Sequence, residues 1–139
     1  MAGKANFTDD EWNTLHRGAT GAGMLVALSE RGFASTFKES GALARYFGQA
    51  RTDASSQLVR ELAAVHGTGW KVSSSPDEVR AGTIAALTSS VTTLQAKSPD
   101  DLDEYRTFVL AVAEAVAAAA KGGDEAEAAE IATIREALG

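Results

Sequence analysis

The sequence predicts an all-α single domain of about six helices. Three observations carry that reading. Apolar residues recur at spacings of three and four, helix-start and helix-stop residues punctuate the chain, and no run sustains the period-two alternation of a strand. The 139 residues include many alanines and two prolines, a composition that favours helix. A chain of this length buries roughly two-thirds of its unfolded surface, so it needs no disulfide or metal to fold.

The clearest element runs from Ser98 to Lys121. Leu102, Tyr105, Val109, Val112 and Val116 form one stripe along it, as a helix with one buried face requires. Ser98 suits the N-cap, Pro99 suits the first helical position, and Asp100 and Asp101 complement the positive helix start. Gly122 suits the left-handed residue that ends such a helix.

In chain order, residues 1–6 read as a disordered lead and residues 7–139 as the domain. The first helix spans Thr8 to Arg31. Thr8 and Glu11 form a capping box, and Phe7 staples onto Trp12. Its stripe is Trp12, Leu15, Ala19, Ala22 and Val26. Gly18, Gly21 and Gly23 weaken it by about 1 kcal/mol each relative to Ala, and they let another helix approach closely. A second helix spans Phe33 to Phe47, with Phe37, Ala44 and Phe47 as core candidates and Gly48 as its breaker. A third spans Thr52 to His66, with Leu58, Leu62 and Val65 on one face. After the loop Gly67 to Ser74, Ser75-Pro76-Asp77-Glu78 opens a fourth helix that turns Ile84, Leu87, Val91 and Leu94 inward. Asp124 to Leu138 is the last, with Ile131, Ile134 and Leu138 inward.

The two long capped helices echo each other. A shift of ninety positions lays Thr8 on Ser98, Glu11 on Asp101, and the stripe from Trp12 to Val26 on the stripe from Leu102 to Val116. Any two capped amphipathic helices share such features. A more specific reading is two pseudo-symmetric helical hairpins with the third and fourth helices between them.

Charge and composition exclude several classes. The net charge is -6 and the basic residues are scattered, which disfavours nucleic-acid binding through a basic face. The chain has no Cys, so disulfides, thiolate catalysis and Cys-ligated zinc are out. The most apolar runs, Ala22 to Leu28 and Phe108 to Ala120, are too short to span a bilayer, so no membrane insertion is expected. No signal-peptide pattern opens the sequence. A cytoplasmic location is the expectation.

The acidic helix starts are the first candidate for chemistry. If the echo brings them together, Asp9, Asp10 and Glu11 face Asp100, Asp101, Asp103 and Glu104, and these seven are the expected ligands of a divalent cation such as calcium or magnesium. The same acids serve their helix dipoles without binding anything. No EF-hand loop is present. His16 and His66 have no second His or carboxylate three or four residues on, which argues against a helix-borne metal pair. Gly67-Thr68-Gly69-Trp70-Lys71 lacks the context of a nucleotide loop, and Trp70 reads as a core plug or as an anchor for a partner. The small residues Ala115 to Ala120 permit close helix contact inside the domain or across a dimer.

The C-terminal forty residues carry a resemblance. A long Ala/Val helix ends in Ala119-Ala120-Lys121-Gly122-Gly123, Asp124-Glu125-Ala126-Glu127 follows, and the chain closes on Ile131-Ala132-Thr133-Ile134-Arg135-Glu136-Ala137-Leu138-Gly139. This resembles the TerB-like domain of tellurite-resistance proteins, and Phe7-Thr8-Asp9-Asp10-Glu11-Trp12 is similar to the start of uncharacterised bacterial members. Lys121 stands where the family often carries Asp. The resemblance implies an all-helical domain with pseudo-symmetric halves, and a bacterial cytoplasmic stress-related role in which acidic residues bind cations. The expected function is a non-enzymatic stress-response protein of that kind. The alternative is a scaffold, without a bound ion, that engages another protein or a second copy. An enzyme is disfavoured because no nucleophile-base set is visible.

Overall fold

A computed structural model describes residues 4–29, 45–52, 56–65, 76–119 and 125–139. Those residues form α1 (Asp9–Ser29), α2 (residues 45–52), α3 (Gln57–Ala63), α4 (Pro76–Lys97), α5 (Pro99–Ala119) and α6 (Glu125–Leu138), with a 3-10 turn at Lys4–Asn6 and no strand among them. The predicted all-α class is the observed one.

Local chemistry sets the helix starts. The Thr8 amide donates to Glu11 Oε1 at 2.8 Å and the Glu11 amide donates to Thr8 Oγ1 at 3.1 Å, the reciprocal bonds of a capping box. Phe7 and Trp12 meet at 6.0 Å between ring centroids. At the α4–α5 corner a single residue, Ser98, joins the two helices. Its amide donates to the Leu94 carbonyl at 2.8 Å, and its hydroxyl donates to Asp101 Oδ2 at 2.6 Å. Pro99 then occupies the first helical position, where a missing N–H costs nothing.

α1 is the central helix and packs on α3, α4, α5 and α6. Its whole predicted stripe is buried, and so is the stripe of α5. Lys97, at the end of α4, reaches Glu11 at the start of α1, and Leu87 lies beside Gly18, so α1 and α4 run antiparallel. α5 folds back on α4 at Ser98. α1 and α5 therefore run in the same sense and begin at the same end of the bundle.

Tyr105 shows how close that core is. It is fully buried, and its hydroxyl donates to the Leu15 carbonyl at 2.8 Å and lies 3.4 Å from Ser90 Oγ. Burial pushes the phenol pKa up, so the hydroxyl keeps its proton and remains a donor. A Cβ on Gly18 would stand 2.7 Å from that hydroxyl and 3.0 Å from Leu87 Cδ2. Gly18 is thus the gap that admits the Tyr105 ring, the close approach expected of the α1 glycines.

Four expectations change. Lys4–Asn6 is a turn rather than disordered lead: the Lys4 amide donates to Glu61 Oε2 at 2.8 Å and Phe7 is buried. Gly48 lies within α2 instead of breaking it, because one glycine costs a helix only about 1 kcal/mol. α3 begins after Ser56, not near Thr52. Ser56 Oγ accepts from the Val59 amide at 3.4 Å and supplies the N-cap. On α4, Leu87 and Leu94 are buried and Val91 packs against the core as expected, but Ile84 is only half-buried, and Val79, Thr83, Ala86 and Ser90 are buried in addition. Phe37, Ala44 and the connection from α1 to α2 lie outside the described residues.

Candidate functional site

The acidic helix starts were the expected metal ligands, and they do share one end of the bundle. They do not gather as a ligand set: no group of three or more His, Asp or Glu among the described residues could hold a metal ion. Glu11 binds the Thr8 amide and also meets Lys97 Nζ at 2.5 Å. The Lys97 ammonium, then the Thr8 amide, hold the Glu11 carboxyl below the usual carboxylate range. Lys97 also lies 5.8 Å over the Phe7 ring. Asp101, the echo of Glu11, is buried and takes the Ser98 hydroxyl. Asp103 pairs with Arg106 at 3.4 Å. Asp9, Asp10, Asp100, Asp103 and Glu104 are exposed.

Lys97 was not singled out in the sequence. The signal that points to it is positional: it is the last residue of α4, immediately before the N-cap of α5, and the antiparallel run of α1 and α4 carries it to the start of α1.

The two histidines separate. His66, Trp70 and the Gly67 to Lys71 loop lie outside the described residues. His16 is buried, its Nε2 has no hydrogen-bond partner among the described residues, and burial lowers its basicity. It borders a cleft of about 490 Å³ lined by Asp10, Asn13, Thr14, His16 and Arg17. Its ring lies 6.3 Å edge-on from Phe47, which meets Phe108 of α5 at 5.4 Å. His16 stands one place from Leu15 and four from Trp12, so the stripe itself carries it inward. In the run of small residues, Val116 is buried and Ala117 packs against the same core, as the intramolecular reading requires.

Comparison with protein-family models, curated proteins and solved structures returned no match. The TerB-like resemblance rests on the residues quoted for it.

Proposed function

We propose that this chain is a non-enzymatic helical binding module of the stress-response, tellurite-resistance-like kind, and that it acts through a protein partner rather than a bound divalent cation. The observation that favours this choice is Lys97. Its ammonium stands 2.5 Å from Glu11 Oε1, in the place where the two acidic starts approach, so the protein supplies its own cation there. With Glu11 and Asp101 engaged by their caps and Asp103 beside Arg106, the exposed Asp9, Asp10, Asp100 and Glu104 remain at that end of a chain whose net charge is -6. A partner presenting Lys and Arg fits such an end, through attraction that steers encounter and weakens with salt. The bacterial, cytoplasmic setting follows from the resemblance.

The test is a thermal melt in millimolar calcium or magnesium against sodium at matched ionic strength, with calorimetry alongside. The expected result is equal melting temperatures and no heat of binding. A rise specific to divalent ions, lost in the Asp100→Asn/Asp101→Asn double variant, restores the cation reading. Lys97→Met, which removes the built-in ammonium, is expected to gain a divalent response, because acids left without a counter-charge attract one.

A further inference from the structure

We infer that His16 is an acid-sensitive latch, holding α2 against α1 while its imidazole is neutral and releasing α2 when the ring takes up a proton. The ring lies at the seam between the two helices. It is 4% exposed and sits edge-on to Phe47 at 6.3 Å. Phe47 meets Phe108 edge-on at 5.4 Å, and Tyr46 stacks on Phe108 at 6.0 Å. These aromatic contacts, with the buried Ala50, join the described part of α2 to the core.

Among the described residues, no group at the seam is placed to stabilise an imidazolium. The charged residues nearby on α1 are Asp10 and Arg17, which line the cleft that His16 borders. α2 carries Arg45 and Arg51, and all four are exposed. α5 presents Phe108 behind Phe47. Among the described residues Nε2 has no hydrogen-bond partner, and burial lowers the basicity of the ring. A neutral ring leaves one nitrogen unpaired. An imidazolium leaves a desolvated charge with no counter-ion, which is far more costly. Attraction of the cation to the Phe47 face is worth about 0.5–1 kcal/mol at exposed sites and about 2 or more when desolvated, too little to offset burial of the charge. Opening the Phe47 side hydrates the ring at the smallest cost, because α1 is held by α3, α4, α5 and α6.

The direction follows from linkage. The released ring has an ordinary pKa of about 6.5, and the latched ring takes its proton at lower pH. The closed seam is therefore fully favoured above that value and loses ground as pH falls below it. One unit below, the open state gains about tenfold.

Amide hydrogen exchange of the full chain at pH 7.5 and 5.5, corrected for intrinsic exchange rates, tests this. Protection across residues 45–52 is expected to fall about tenfold at the lower pH, while the amides around Leu87 and Val109 keep theirs. His16→Gln should remove the difference. Unchanged protection in 45–52, an equal loss in the Gln variant, or a loss spread evenly through α4 and α5 would overturn the latch. If the variant fails to fold, the imidazole nitrogens of His16 are titrated by NMR in the native chain. The latch requires a midpoint below the ordinary one and coincident with the change in α2; an ordinary or non-coincident midpoint rejects it.

Discussion

The Tyr105 hydroxyl donates to the Leu15 carbonyl at 2.8 Å, joining two residues ninety positions apart. Leu15 and Tyr105 are the second stripe residues of α1 and α5, so the bond links equivalent places of the two echoing helices. It also fixes how far the helices can slide past each other, since the donor is buried and Ser90 is its other polar neighbour.

Tyr105→Phe removes that donor and leaves the ring. The loss of one buried neutral hydrogen bond is expected to cost about 1–1.5 kcal/mol, read from the midpoint of urea unfolding at constant slope. An unchanged midpoint would mean that the bond contributes nothing net.

Gly18→Ala gains up to about 1 kcal/mol of helix propensity, yet its methyl would stand 2.7 Å from the Tyr105 hydroxyl. Tyr105 is fully buried and cannot swing away, so overpacking should dominate and the variant should lose about 1–2 kcal/mol net. Removing the hydroxyl relieves the clash. In a Tyr105→Phe background the same substitution should cost at least about 0.5 kcal/mol less. Additive losses in the double variant would show that the contact does not limit packing.

Val112 is fully buried on α5. Val112→Asp places a charge there with no counter-ion and should cost several kcal/mol, of order 3 or more. A variant that melts with the parent would contradict the packing of the α5 stripe.

Glu130 of α6 is buried and ion-paired to the half-exposed Arg80 of α4, and its Oε2 has no hydrogen-bond partner among the described residues. Arg80→Ala strands that carboxylate and should destabilise by about 2 kcal/mol, less than for a fully buried pair because Arg80 is itself well solvated. Adding Glu130→Leu should recover most of the loss. If Arg80→Ala alone leaves the unfolding midpoint in place, the pair is as weak as an ordinary surface bridge.

The sequence by itself determined the helical class, both long stripes, the Thr8–Glu11 box, the Phe7–Trp12 staple and the Ser98–Pro99 start. These are encoded within one or two helical turns, where period and capping chemistry act directly. It also placed the two acidic starts in equivalent positions, but that equivalence could not show that Lys97 would reach Glu11 across 86 residues. Gly18 could be read as a close-approach residue, although only the crossing of α1 and α5 assigns it to Tyr105. The Thr83, Ala86 and Ser90 face of α4 escaped periodicity because small and hydroxyl side chains carry no apolar signal yet fit a close helix contact; Ser90 donates to the Ala86 carbonyl at 2.7 Å, whereas Thr83 is buried with its Oγ1 unbonded among the described residues. The stripe explains why His16 turns inward, and only the tertiary structure set Phe47 against it. Contacts between helices depend on register and crossing, which are set jointly by many distant side chains, so no local pattern carries them.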